Sequence, residues 1–237
     1  MNRFGPVTRV ALAALALVLS FGSAHAATVA KPAAAPQSAL ASKPAATAAA
    51  VKPAPAKEDI AIFAGGCFWC METDFEKRPG IKSVISGYIG GTEPNPSYEL
   101  VSSHQTAYRE AVEIHFDPAV ITYAQLVDLF WHSIDPTQKD GQFSDIGENY
   151  RTAIYYRSDE QKRIAEKSKL DLELTKTLGK PIATDILPAT KFWPAEDYHQ
   201  DYWTKDPMHY RMYRYGSGRD QRLHEVWGDK AAKPSVH

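Results

Sequence analysis

A short apolar run, Ile60-Ala61-Ile62-Phe63-Ala64, ends in Gly65-Gly66 and is followed at once by Cys67-Phe68-Trp69-Cys70. This join constrains the chain more than any other segment. The apolar run suits a strand, and two glycines allow a tight turn. The next residues, Met71-Glu72-Thr73-Asp74-Phe75-Glu76-Lys77, read as one or two helical turns. A cysteine then stands at a helix N-terminus, where unpaired N–H groups favour the thiolate, the reactive form. Phe68 and Trp69 form a dry wall beside the sulfur. An enzyme that binds an apolar group against its nucleophile needs such a wall; a polar redox motif does not.

Cys67 and Cys70 are the only cysteines in 237 residues. A bridge between residues three apart closes almost no loop and removes little unfolded-state entropy, so a purely structural disulfide is a weak reading. The pair is redox-active or a metal ligand pair. The eight histidines show no His-x-His or His-x-x-x-His spacing, so a zinc site lacks matching partners and no metal or cofactor is expected.

The first 26 residues read as a signal peptide. Arg3 and Arg9 form the positive start, Val10 to Phe21 the apolar stretch, and Ala24-His25-Ala26 a small-x-small cleavage site. Export to the periplasm is the expected location. Residues 27–57 are mostly alanine with interspersed proline and lysine and have no aromatic and no acid, a spacer that cannot bury enough apolar surface to order itself. Residues 58–237 form the expected catalytic domain. Six of the 27 basic residues and none of the 28 acidic ones precede Glu58. The remainder therefore carries 21 basic against 28 acidic side chains, a formal charge of −7, which argues against a nucleic-acid partner.

Strands are expected at Ile60–Ala64, Ile81–Ile89, Ala111–Phe116, Thr152–Tyr156 and Ile182–Leu187. Helices are expected at Cys67–Lys77, from a capping box at Thr122-x-x-Gln125 to about His132, from a second at Ser158-x-x-Gln161 to about Thr177, and near Glu196–Tyr202. The order β-α-β-β-α-β-α-β suggests an α+β fold. It is a two-layer plait of ferredoxin-like type, with a mostly antiparallel sheet and helices on one face.

Glu110 shares strand parity with Val112, Ile114 and Phe116. If the strand extends back to it, the carboxyl points to the apolar face, where desolvation keeps it neutral and able to serve as a general acid. If the strand begins at Ala111, Glu110 is a solvated edge residue. By default Tyr88 and Tyr150 are half-buried packing tyrosines, and Asp145 sits in a loop as an Asx-turn residue.

The chain resembles the A-type peptide methionine sulfoxide reductases. The resemblance rests on Gly66-Cys67-Phe68-Trp69 in its version with a second cysteine. It continues through Ser86-Gly87-Tyr88-Ile89-Gly90-Gly91, Arg109-Glu110-Ala111-Val112, Ile134-Asp135-Pro136-Thr137, Asn149-Tyr150-Arg151-Thr152-Ala153-Ile154 and Tyr198-His199-Gln200-Asp201-Tyr202. It covers roughly residues 58–220 and implies a fold of the plait kind. It also implies that Cys67 is the nucleophile and Glu110 the acid. Tyr88 and Tyr150 would hold the sulfoxide oxygen, Phe68 and Trp69 the methyl group, and Asp145 would line the pocket. Tyr108-Arg109 departs from the family's usual residues before the glutamate. The product would be methionine, from the S-sulfoxide, free or in proteins.

The best-known members recycle through cysteines in a C-terminal tail, and residues 205–237 contain none. Cys70 is the internal candidate to resolve a Cys67 sulfenic acid, about 5–6 Å away at Cβ on a helix; an external thiol is the alternative. A thioredoxin-like dithiol is the expected reductant and a monomer the expected state. A thiol–disulfide oxidoreductase and a non-enzymatic metal module on the two cysteines are the competing readings.

Overall fold

The computed structural model describes residues 58–235. The signal peptide and spacer expected in residues 1–57 lie outside the described residues. The strands and helices run β1 (Asp59–Ala64), α1 (Phe68–Phe75), β2 (Ile81–Ile89), α2 (Tyr98–Ser102), β3 (Arg109–Phe116), α3 (Tyr123–His132), β4 (Gly141–Gln142), β5 (Asp145–Ile146), β6 (Ala153–Tyr156), α4 (Asp159–Thr175), β7 (Asp185–Pro188), β8 (Trp193–Pro194), α5 (Tyr202–Lys205), α6 (Pro207–Gly216) and α7 (Arg219–Trp227).

Six strands form one sheet in the order β7-β6-β1-β3-β2-β8. Every pairing is antiparallel except β6 with β7, which are parallel and joined through α4; a parallel pair needs such a crossover. The period-2 alternation separates two apolar layers. Ala61, Phe63, Val112, Ile114, Phe116 and Ile154 pack against α1, α3 and α4. Phe63 is fully buried, with ring centroids 4.8 Å from Phe130 and 5.7 Å from Phe75. Burying one such ring stabilises the fold by roughly 1.5–3 kcal/mol. On the opposite face Ile62, Ala64, Ile89, Ala111, Ala153 and Tyr155 form a smaller cluster, covered by Leu187, Ala189 and Phe192. The α+β fold with its main helices on one face of a mostly antiparallel sheet is as expected.

The Thr122–Gln125 capping box forms in both directions. The second box forms by half. Ser158 accepts from the Gln161 N–H, but the Gln161 side chain accepts from Arg157 N–H and donates to the Ile60 carbonyl. It therefore ties α4 to β1 instead of closing the box. The α4 helix stops at Thr175, two residues early, because Lys176 adopts a left-handed φ of 56°. The last expected strand starts three residues late. Ile182 is buried in the helical-face core, and Ala183 N–H donates to Pro136 O, leaving pairing to begin at Asp185.

No helix forms at Glu196–Asp201. There Gln200 behaves as a strand surrogate: its side-chain amide donates to Ser86 O and accepts from Ser86 N–H at 2.9 Å, beside the Ala195 N–H bond to the same carbonyl. The helix starts only at Tyr202. The helices α2, α6 and α7 were not expected from the sequence. In α6 the usual pattern is inverted. Tyr210 and Arg214 are buried, while Met208, Met212 and Tyr215 face outward, so no apolar stripe marks it. The end of the described chain returns to α1, where Ser235 N–H and Oγ each donate to Thr73 O at 2.8 Å.

The β2–β8 contact leaves no room at Gly87, where an added Cβ would overlap both the Trp193 carbonyl and the Phe192 ring. Gly87→Ala should destabilise by on the order of 1–3 kcal/mol, read by urea unfolding. Gly216→Ala, with nothing within 4 Å of its Cβ, should be neutral or slightly stabilising.

Candidate active site

The strand β1 delivers Gly65-Gly66 to the start of α1, with Gly66 at φ +83°. A side chain at Gly65 would overlap the Met71 thioether, and one at Gly66 would press on Gln142. The turn therefore requires both glycines, and it leaves Cys67 as the N-cap of α1 with no side-chain cap bond. The Cys67 carbonyl accepts from the N–H groups of Cys70 and Met71 at 3.2 Å, while both thiols are buried and free.

The next N–H of this helix end has a partner from the sheet. Phe68 N–H donates to Glu110 Oε2 at 3.0 Å. Because β3 begins at Arg109, Glu110 lies within the strand and shares the face of Val112 and Ile114. It is 2% exposed. Burial pushes its carboxyl up to about 8, with the Phe68 N–H bond opposing. The solvated-edge alternative is thereby set aside.

The β2–β3 register pairs Tyr88 with Glu110, so Tyr88 reaches the same face. Its hydroxyl donates to Glu196 Oε2 at 2.8 Å, and Glu196 Oε1 accepts from Tyr98 N–H. The donor expected to bind an oxygen is therefore held by a carboxylate. Tyr150 ends a short 3₁₀ turn, Glu148–Tyr150. Burial raises its phenol well above the usual range, with smaller contributions from Glu110 and Cys67, and its hydroxyl bonds to nothing among the described residues. Tyr98, which the sequence reading missed, is in the same situation. Burial pushes it up to about 12, and it too faces Glu110 and Cys67.

Asp145 accepts from Tyr213 Oη at 2.5 Å, and burial raises its carboxyl. The Tyr213 phenol also contacts Cys67, so α6 contributes a residue that bridges the nucleophile and the pocket aspartate. The expected aromatic wall divides in two. Phe68 is fully covered, with centroids 5.0 Å from His199 and 5.9 Å from Tyr88. Trp69 is half-buried and held rigidly: it stacks on Tyr202 at 3.9 Å and 7°, meets Tyr213 edge-on at 5.5 Å, and donates its indole N–H to His199 Nδ1 at 3.1 Å. That bond places the His199 proton on Nε2, and burial lowers the ring's basicity. The Tyr198–Trp203 segment thus fixes the wall.

The thiolate expected at Cys67 is corrected. Burial, then the Cys70 thiol and the Glu110 charge, push Cys67 up, whereas Cys70 is lowered by its bond with Cys67 and by Arg219 and Arg214. The helix end holds a carboxyl at Phe68 N–H, and of the two thiols Cys70 is the one whose ionised form is favoured. Among the described residues one carboxylate group, Glu72, Glu76 and Asp201, brings ligand atoms within 4.8 Å of each other. Ser86 and the Trp203 indole already occupy Glu72 and Glu76.

A family profile described as peptide methionine sulfoxide reductase matches residues 59–231. The chain belongs to this family. It is similar to peptide methionine sulfoxide reductase MsrA of Bacillus velezensis, 55% identical over 73% of this chain and 98% of that protein. It is 52% identical to MsrA of Bacillus subtilis over the same shares. Among solved structures, Mxr1 of Saccharomyces cerevisiae in reduced form matches at TM-score 0.59 and 34% identity, over 68% of this chain and 92% of that one. Methionine sulfoxide reductase A of Corynebacterium diphtheriae matches at 0.57 and 34%, over 64% and 76%. The chain is thus an oxidoreductase that reduces methionine sulfoxide.

A carboxyl that loses its proton near pH 8 donates below that value and not above it. Single-turnover sulfoxide reduction should therefore fall as pH rises through about 8. Glu110→Gln should slow it on the order of 10²–10⁴-fold and lack this descending limb. A stopped-flow or quenched pH series reads both.

Proposed function

We propose that the enzyme reduces the S-sulfoxide of methionine, free or in proteins, through a sulfenic acid at Cys67 that Cys70 resolves. The observation that carries the reading is a buried Glu110 carboxyl held on Phe68 N–H, the residue next to Cys67. The substrate's methyl group packs on Trp69 with Phe68 beneath it. The sulfoxide oxygen meets Glu110 and the free hydroxyls of Tyr150 and Tyr98; Tyr88 joins them only by leaving Glu196. Asp145, through Tyr213, orders the opposite side of the pocket.

Cys67 sulfur attacks the sulfoxide sulfur while Glu110 protonates the oxygen. Oxygen passes to Cys67, methionine leaves reduced, and Cys67 becomes a sulfenic acid. Cys70 then attacks the Cys67 sulfur; the S–S bond forms, the S–O bond breaks, and oxygen leaves as water. A thioredoxin-like dithiol returns the disulfide to two thiols. Cys70 is the one other thiol in the sequence, which supports the internal route over an external thiol. The S epimer follows the family resemblance. The sequence of residues 1–26 supports export, with periplasmic repair of oxidised methionine as the setting, and the acting species is a monomer.

Both sulfoxide epimers should be offered to three proteins. Wild type should turn over the S epimer alone. Cys67→Ser should be inactive, because it removes the sulfur that adjoins the Glu110 acid; residual turnover above a few per cent would remove Cys67 from this role. Cys70→Ser should still yield one equivalent of methionine and a Cys67 sulfenic acid trapped by a sulfenate-selective probe. Its thioredoxin-driven turnover should collapse, with partial rescue by dithiothreitol. Wild-type turnover in Cys70→Ser would instead favour the external thiol.

A further inference from the structure

Three guanidinium groups are buried among the described residues. Two of them have carboxylate partners. Arg109 pairs with Asp185 at 2.7 Å, and Arg214 lies between Asp74 at 3.0 Å and Asp220 at 2.8 Å. The third, Arg219, is 1% exposed and among the largest fully buried side chains. Among the described residues no carboxylate lies within ion-pair distance of it. Its contacts are neutral: the Gly65 carbonyl at 2.8 and 3.3 Å from its two terminal nitrogens, the Met71 sulfur at 3.2 Å, and the Phe143 ring at 4.7 Å. Its Nε has no acceptor at all. It also sits at the first position of α7, where the positive end of the helix opposes a cation. A buried charge left in this way costs several kcal/mol unless an anion compensates it.

The contacts of Arg219 place it against the turn that carries the two cysteines. Gly65 is two residues before Cys67, and Met71 directly follows Cys70, so the guanidinium rests against the turn of chain that holds both thiols. The other titratable groups around the dithiol are already committed. From α1, Asp74 is bound by Arg214. From β3, Glu110 keeps its proton to about 8. From β5, Asp145 is bonded by Tyr213 and also feels the Arg219 charge, although it lies outside ion-pair distance of it. From α6 come Tyr210 and Tyr213, and from α2 and the 3₁₀ turn Tyr98 and Tyr150, all phenols raised by burial and neutral. Arg214 donates to the Cys70 carbonyl at 3.4 Å, but its charge is balanced by its two aspartates.

We propose that Arg219 is the counter-charge of the Cys67–Cys70 dithiol, a positioning residue that keeps the reduced pair as one thiol and one thiolate sharing a proton. The arrangement supplies what the reaction needs at both stages. A proton moving from Cys67 to Cys70 frees the attacking sulfur for the sulfoxide. After Cys67 has become a sulfenic acid, the proton on Cys70 passes to the Glu110 carboxylate left by the first step, and the charge of Arg219 favours the resulting Cys70 thiolate for the resolving attack. The disulfide carries no charge, so oxidation removes the partner of Arg219 and favours return to the dithiol. The proposal deepens the reading given above and rests on it for the use made of the thiolate.

The test reads the thiolate without any sulfoxide, so its failure and the failure of the reductase reading are separate results. Reduced full-length protein is titrated between pH 4 and 10 by thiolate absorbance at 240 nm and by the rate of iodoacetamide alkylation. Wild type should show one thiolate per chain forming well below the value of about 8.5 for a free cysteine. Arg219→Met should move that midpoint up by about one unit, a roughly tenfold slower alkylation at pH 6.5, and should make the disulfide harder to reduce in a dithiothreitol equilibrium. Arg219→Lys, which keeps the charge, should retain most of the low midpoint. A wild-type protein with no thiolate below pH 8 overturns the proposal without any variant. So does a folded Arg219→Met or Arg219→Lys whose midpoint shows charge at this position to be irrelevant.

Discussion

One hydrogen bond joins the two halves of this enzyme: Phe68 N–H, at the open end of α1, to the carboxyl of Glu110 inside β3. A helix start needs acceptors for its free N–H groups, and a carboxyl buried in an apolar layer needs a donor. Each satisfies the other. The bond fixes how α1 lies on the sheet and therefore where the Cys67 sulfur points. It opposes but does not overcome desolvation, so the carboxyl remains an acid at neutral pH. Had the helix end been occupied by a side-chain cap on Cys67's side, the acid would have lost both its anchor and its place beside the sulfur.

Around that bond the two sides of the site are built differently. The sheet side is rigid and comes from neighbouring strands: the β2–β3 register alone sets Tyr88 beside Glu110. The other side is brought in by polar helices from the end of the chain. Tyr213 reaches Asp145 and Cys67, Arg214 the Cys70 carbonyl, Arg219 the Gly65 carbonyl, and Tyr202 stacks on Trp69. Charge and aromatic contact, rather than aliphatic packing, hold this half in place.

That difference decides what the sequence could reveal. The strands β1, β2 and β3 and the cap of α3 are written in alternation and a capping box, and they were placed within two residues. Glu110 was legible because parity in a strand is a geometric statement about direction. Tyr98, Tyr213, Arg214 and Arg219 were not. The helix α2 is a single short turn, α6 buries Tyr210 and Arg214 while exposing Met208 and Met212, and α7 buries Arg219, so periodicity reports the wrong face or none. Gln200 misled for a related reason: its amide mimics a peptide group along β2, a role no residue pattern encodes. The thiolate assignment erred because a helix N-terminus was weighed without the burial that accompanies it.

The bonds from Ser235 back to Thr73 have a consequence in time. The cysteine pair lies near the start of the described chain, whereas the groups that cover it, from Tyr202 to Ser235, are made long after it. Contacts of such long sequence separation close late in folding. Until they close, Cys67 and Cys70 stand on an uncovered helix end, without Arg219 or the aromatic wall. The folding chain therefore passes through a stage in which its reactive sulfurs are open to any oxidant or thiol nearby, and docking of the Tyr202–Ser235 segment is the event that restricts them to their substrate.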